Sequence, residues 1–258
     1  EGRQVRRPEV APDELLVPML SECLGDDVPP VMRWRAERLL IRRDPEKVLD
    51  VLRVESEHPE RRRRYRALES AGRLGPMAIP LLRESIANED PGIRRRAVKS
   101  LGILGDQASL ATIAPLLRDD DLSVVQAALR AVLRLTERPE HSSEHVDPLR
   151  LRELMDVEDP ELRTNAFVAA ARLGFVFDDL PEPPLTSEGP VSDIVSATAH
   201  FELLARKGDD DELFRALDAE GMLAASAASA IARHSEDIPR LTAMLESDVP
   251  TIRAAALR

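Results

Sequence analysis

One sequence pattern recurs about every thirty residues along this chain. It reads DPGIRRRAVKSLGILG from Asp90, DLSVVQAALRAVLRL from Asp121 and DPELRTNAFVAAARLG from Asp159. A fixed period of this length is typical of stacked-repeat proteins, in which each unit buries its apolar face only against its neighbours. The pattern therefore predicts an all-α fold, a right-handed α-solenoid of about eight two-helix repeats. Fainter copies of the pattern lie at 31–43, 60–75, 191–206, 221–233 and 250–258.

The repeat from Asp90 to Leu117 shows how one unit is expected to fold. Asp90 or Glu89 caps a helix with Pro91 in its first turn, where a missing N–H is harmless. Gly105 ends this helix, and a second short helix follows. Each helix carries its apolar residues on one face, because they recur at helical spacing. They are Ile93, Ala97, Leu101 and Leu104 on the first helix, and Leu110, Ile113 and Leu117 on the second.

The pattern D-P-x-x-R-x-x-A followed by a Leu-rich helix resembles the HEAT-repeat family, particularly the HEAT-like repeats of phycobilisome lyases. The resemblance covers about Asp13 to Arg258 and is most specific from Glu60 to Gly174. It implies that the first helix of each repeat lines the concave side. It also implies a structural role for the family arginine, which bonds acidic residues in the turns of neighbouring repeats. The matching residues here are Arg33, Arg64, Arg94, Arg163 and Arg253.

The chain departs from the repeat pattern at two positions and in two longer stretches. Val125 replaces the family arginine, and Arg63 replaces the first apolar residue, so we expect altered stacking at both. Residues 136–147 form a polar insertion that predicts a loop. Residues 175–190 contain four prolines, which exclude a regular helix there. The predicted organisation is a tail (1–12), N-terminal repeats with a basic concave face (13–174), an irregular segment (175–190) and C-terminal repeats with a truncated last member (191–258).

Both ends of the sequence carry an expectation. The chain begins at Glu1 rather than at a methionine, so we expect it to be trimmed or processed. Residues 250–258 match only the start of a repeat helix, so we expect further chain beyond Arg258 or a larger assembly covering this end. Neither a signal peptide nor a membrane-spanning stretch is evident, which favours the cytoplasm but leaves the compartment unknown.

Charge is distributed unevenly between the two halves of the sequence. Residues 1–138 hold 25 Lys and Arg against 23 Asp and Glu, whereas residues 139–258 hold 11 against 24. The predicted first helices at 31–43, 61–74, 91–104 and 121–135 together hold 17 basic and 3 acidic residues. The sequence therefore predicts a basic groove in the N-terminal half and an acidic surface elsewhere.

The helical register also predicts which side chains point into this groove. The chain has a single tryptophan and a single tyrosine, and both fall at the same outward position of adjacent repeats, each followed by an arginine. Trp, Tyr and Arg are enriched at interface hot spots. The alternative is that the aromatic rings fill gaps between helices and that the arginines form intramolecular salt bridges. The candidate partner-binding residues are Trp34, Arg35, Arg38, Tyr65, Arg66, Arg95, Arg96, Lys99 and Arg130.

Signals for catalysis or metal binding are weak. His141 and His145, flanked by acidic residues, loosely resemble a metal-ligand spacing, but their polar insertion predicts an exposed loop. Cys23 is the single cysteine and predicts a buried structural thiol. Helical-repeat hydroxylases bind iron through His-Glu pairs, and no His-Glu dipeptide occurs here. No phosphate-binding loop, dinucleotide motif or serine-hydrolase motif is present. We therefore predict no catalytic residue, cofactor or metal.

Three functions are compatible with this sequence. The first is a non-enzymatic scaffold or adaptor that binds an acidic protein partner along the concave surface. The second is nucleic-acid binding in the basic groove, as in HEAT-like DNA glycosylases, although the pI of about 5.1 and the few aromatic residues argue against it. The third, a chromophore-lyase-type subunit, rests on the family resemblance alone. The acidic C-terminal half could bind a second, basic partner or maintain solubility.

Overall fold

The computed structural model describes residues 22, 28–137, 143–181, 191–218, 222–235 and 237–257, and the regular structure within them is entirely helical. The predicted all-α repeat fold is confirmed for this part of the chain. Fourteen α-helices are described there: α1 Pro30–Arg43, α2 Pro45–Ser56, α3 Arg61–Leu74, α4 Ile79–Ser85, α5 Pro91–Leu104, α6 Leu110–Ile113, α7 Leu122–Leu135, α8 Pro148–Met155, α9 Pro160–Leu173, α10 Val191–Lys207, α11 Asp210–Ala216, α12 Met222–His234, α13 Ile238–Leu245 and α14 Pro250–Ala256. Short 3₁₀ helices span Pro76–Ala78, Gln107–Ser109 and Ala114–Arg118.

The chain forms two compact units that divide between Ser109 and Leu110. In the first unit α3 packs against α5, α2 packs against α3, and α4 packs against both α3 and α5. In the second unit α7, α9, α10, α12 and α14 pack side by side in chain order, with α8 against α9, α11 against α12 and α13 against α14. The predicted boundary after residue 174 remains a sequence-based prediction, and the described residues 175–181 contain no helix.

Aspartates start the helices as the repeat predicts. The Asp90 carboxylate accepts a hydrogen bond from the backbone N–H of Gly92, and Asp159 does the same for the first turn of α9. Gly105 and Gly174 end α5 and α9 in the left-handed backbone conformation, which residues with a Cβ atom rarely adopt. These start and stop signals set the length of each helix and therefore the register of its apolar face.

The core consists of small and medium aliphatic side chains, which allow close packing of helices. Ile93, Ala97 and Leu101 are buried as predicted. A Cβ atom added at Gly72 of α3 would lie 2.6 Å from the Ser100 hydroxyl oxygen of α5, so a larger residue at this contact would displace the Ser100 side chain. Among the described residues, no helix is sufficiently long and apolar to cross a membrane.

Two details of the predicted repeats need correction. The second helix of the Asp90–Leu117 repeat is not continuous, because Pro115 lacks an N–H and α6 gives way to a 3₁₀ turn. The apolar position that Arg63 occupies is filled by an ion pair. The Arg63 Nε lies 2.7 Å from the buried Glu55 carboxylate of α2. At the other departure from the pattern, Val125 is fully buried.

Candidate functional site

Basic residues are concentrated at the start of α3 and along α5, and most of those on α3 have partners inside the first unit. Arg61 donates two hydrogen bonds to the Asp90 carboxylate, at 3.0 and 3.2 Å. Arg63 is paired with Glu55. Arg64 donates to the carbonyl oxygens of the turn that precedes its own helix. A high density of arginine in the sequence therefore does not translate directly into a cationic surface.

Tyr65 lies between α3 and α5. Its hydroxyl donates a hydrogen bond of 2.9 Å to Asp90, and the Arg96 guanidinium stacks 3.7 Å from the centre of its ring. The Arg61 guanidinium lies 5.1 Å from the same ring. A Cβ atom at Gly92 would lie 2.1 Å from the tyrosine oxygen, so the ring occupies the space that this glycine leaves. Tyr65 is thus a contact between repeats.

The Asp90 carboxylate is held in its charged form by this cluster. Partial burial raises the pKa of a carboxyl group, but hydrogen bonds from Arg61, Tyr65 and the Gly92 backbone outweigh burial and lower the pKa of Asp90 to about 2. Asp90 therefore neutralises much of the Arg61 charge at neutral pH. The same carboxylate caps α5, which couples the start of this helix to α3.

The predicted outward orientation is wrong for Tyr65 and Arg96. The register of each α-helix places both side chains at the surface, but it gives no information about which side chains the neighbouring helix covers. In the structure Arg96 is half-buried, stacks on Tyr65 and donates to the Glu69 carboxylate of α3 at 3.1 Å. These two residues consequently fill the space between helices, as the alternative interpretation of the sequence proposed.

Three exposed cations on α3 and α5 are not paired with any other described residue. Arg62, Arg95 and Lys99 make no ion pair or side-chain hydrogen bond within the described part of the chain. Arg95 and Lys99 are four residues apart and hence neighbours on α5, and Arg62 lies in the first turn of α3, the helix that packs against α5. Ile103, one further turn along α5, is 59% exposed. We call these four residues the cationic face.

The helical register predicted Arg95 and Lys99 for this surface but not Arg62. The residue lies inside a run of four arginines whose members could not be told apart without their partners. The available signal was its spacing, because Arg62 is one helical turn before the predicted Arg66. Arg66 itself is half-buried and has an interaction within the protein.

The other predicted binding residues do not belong to the cationic face. Trp34 is 48% exposed on α1, with the Arg38 guanidinium 5.3 Å from its ring centre. Trp34 and Tyr65 thus each pair with arginines of their own, and the structure shows no contact between the two rings. Arg35 is exposed on the same helix. Arg130 belongs to the second unit, where it forms an ion pair with Glu161.

The arginines of the predicted structural ladder bond backbone carbonyls more than carboxylates. Arg94 donates to the carbonyl oxygens of Asn88 and Glu89, both at 2.9 Å, and Arg253 donates to that of Ser247. Arg64 follows the same geometry and also lies 3.5 Å from Asp90. For Arg33 and Arg163, one buried guanidinium nitrogen each lacks a hydrogen-bond partner in the described residues. The arginines with partners tie each turn to the helix that follows it.

No group of three potential metal ligands is found among the described residues. His145 lies exposed in a turn, whereas His141 and Cys23 are outside the described residues. The expectation that the protein has no catalytic residue, cofactor or metal stays a prediction, and the cationic face is the candidate functional site.

Comparisons with known proteins identify the repeats. Residues 46–134 match the family model for HEAT repeats. The HEAT match spans α2 to α7 and contains the whole cationic face. No curated protein matches the chain.

Solved structures resemble this chain only distantly. An engineered protein shares 15% identity and a TM-score of 0.54, over 93% of this chain and 76% of its own. Human deoxyhypusine hydroxylase in complex with glycerol shares 17% identity and a TM-score of 0.42, over 95% and 94% of the two chains. A designed armadillo repeat protein shares 16% identity and a TM-score of 0.43, over 81% and 97%. The first of these similarities shows a shared fold and nothing about activity.

Proposed function

We propose that this protein is a non-enzymatic adaptor that binds an acidic segment of a protein partner on the cationic face. The proposal is supported mainly by the unpaired charges of Arg62, Arg95 and Lys99, in a first unit whose other arginines are largely paired internally. Unpaired cations on two packed helices attract a carboxylate-bearing chain and increase its rate of association. HEAT repeats commonly bind proteins, which agrees with this role.

A protein ligand fits this face better than a nucleic acid does. The exposed Ile103 next to Lys99 offers apolar contact that a phosphate backbone does not use. Glu69, which is half-exposed and paired with Arg96, interrupts the row of cations that a continuous phosphate backbone would contact. We therefore infer a partner segment with a few acidic residues followed by an apolar one. A chromophore-lyase role rests on the resemblance alone, and no described residue favours it.

The proposal is tested by charge reversal followed by purification from the source cells. We expect Arg95→Glu combined with Lys99→Glu to remove at least one protein that co-purifies with the wild-type chain after nuclease treatment. Both side chains are exposed and form no hydrogen bond or ion pair with another described residue, so folding should be unaffected, which circular dichroism and thermal melting would check.

The matched control reverses two exposed cations that lie elsewhere. Arg42 and Arg134 also lack ion partners in the described residues, so Arg42→Glu with Arg134→Glu changes the net charge equally. The control should retain the partner. Equal loss in both double variants would indicate a nonspecific charge effect and contradict the proposal, as would a ligand that disappears on nuclease treatment.

A further inference from the structure

A cavity of about 610 Å³ opens on the second unit, and none of the residues that line it belongs to the cationic face. Its walls come from the end of α11, from α13 and from the turn and first residues of α14. The floor is apolar: Phe214, Leu217, Met244 and Ile252 line it. Met244 and Ile252 also belong to the buried core of this unit, which gives the floor a fixed shape. A volume of this size accommodates one or two large side chains.

The rim of the cavity is acidic. Asp218 follows α11 and Asp248 precedes α14, and both side chains are exposed. Neither carboxylate forms an ion pair or side-chain hydrogen bond among the residues that the structure describes. They therefore supply two uncompensated negative charges at positions contributed by different segments of the chain.

Arg240 is the one basic residue among the described residues that line the cavity, and it does not offset this charge. Arg240 lies over the Phe214 ring, 4.8 Å from its centre, and pairs with Asp211 at 2.8 Å and Asp237 at 3.2 Å. Its guanidinium thus forms part of the wall, and its charge is already balanced. The cavity consequently combines an apolar floor with a net negative rim.

We propose that this cavity is a docking site for a basic peptide segment of a protein partner, which inserts an apolar side chain between flanking Lys or Arg residues. The apolar side chain contacts Phe214 and Met244, and the flanking cations pair with Asp218 and Asp248. Because the two carboxylates come from different turns that line one cavity, they can pair with two separate cations of the bound segment. The site is independent of the cationic face.

The test uses the full chain with ¹³C-labelled methyl groups on methionine and isoleucine, titrated with the peptide Ac-Lys-Arg-Leu-Phe-Arg-Lys-amide. Binding should shift the Met244 and Ile252 signals saturably and leave that of Met77, in the first unit, unchanged. Asp218→Asn with Asp248→Asn should weaken binding about tenfold, the combined effect of two exposed ion pairs. Ala243→Trp, at an exposed position of the wall, should fill the cavity and abolish the shifts.

Two control peptides and one control variant distinguish binding at this cavity from nonspecific electrostatic attraction between a basic peptide and an acidic protein. A peptide with Gly-Gly in place of Leu-Phe, and one with Glu in place of each basic residue, should leave Met244 unshifted. Asp50→Asn with Asp120→Asn removes two exposed carboxylates elsewhere and should bind normally. No Met244 shift with the basic peptide, an equal shift with either control peptide, or unchanged affinity in the Asp218 and Asp248 variant would each overturn the proposal.

Discussion

The Tyr65 hydroxyl donates a 2.9 Å hydrogen bond to Asp90, and Asp90 is also the N-cap of the helix that packs beside Tyr65. One carboxylate therefore joins two repeats and starts the second of them. Around it, Arg61 and Arg96 are used for internal contacts. What remains available for a ligand is the smaller set of cations that this cluster leaves unpaired.

Removing the Tyr65 hydroxyl should destabilise the first unit. We expect Tyr65→Phe to lower the free energy of unfolding by about 1–2 kcal/mol, because it deletes a hydrogen bond to a charged acceptor. Urea denaturation measures this change. In an Asp90→Asn background the same substitution should cost clearly less, and an equal cost in both backgrounds would show that the hydroxyl does not act through Asp90.

The low pKa of Asp90 predicts a specific acid sensitivity. Its folded-state pKa of about 2 lies below the ordinary 3.8, so its contribution to stability is fully present above about pH 4 and is lost as the pH falls towards 2. The contribution should be about 1–2 kcal/mol, reduced by the solvent exposure of Arg61. Unfolding free energies measured between pH 5 and 2 should fall less steeply for Asp90→Asn than for wild type. Parallel curves would contradict the assignment.

The effect of Gly92→Ala should depend on residue 65. Alanine normally favours a helix over glycine by about 1 kcal/mol, but here its Cβ would collide with the Tyr65 ring. We expect Gly92→Ala to destabilise the wild-type protein and to stabilise a Tyr65→Ala variant. Thermal unfolding of the four proteins tests this reversal of sign, and the same sign in both backgrounds would rule out the predicted clash.

Removing one partner of the buried Arg63–Glu55 pair should lower the stability of the protein, whereas replacing both partners should not. Arg63→Met leaves the Glu55 carboxylate buried without its main partner, and we expect a loss of about 3 kcal/mol. Replacing both residues by leucine should keep stability within about 1 kcal/mol of wild type, because this position is apolar in the other repeats. Urea unfolding of the single and double variants measures both quantities.

The sequence predicted the repeats, their aspartate caps and their glycine stops, because these depend on spacing within one helix. Asp90, Gly105 and the buried face of α5 are examples. It failed where a side chain interacts with the next helix. Tyr65 and Arg96 share the register of Arg95 and Lys99, yet only the packing of α3 against α5 distinguishes the internal pair from the exposed one. Arg62 is the member of its arginine run that stays unpaired among the described residues, and the sequence alone does not show which neighbouring arginines form ion pairs.

Site-specific photocrosslinking tests the central claim, that the cationic face binds a protein, most directly. Ile103→p-benzoylphenylalanine places a reactive group next to Lys99 and leaves every cation intact. Leu122→p-benzoylphenylalanine, at an equally exposed apolar position of the second unit, is the control. After irradiation in the source cells, the account predicts a protein adduct at position 103 but not at 122, attached through an acidic segment. Identical adducts at both positions, or nucleic acid at position 103, would contradict it.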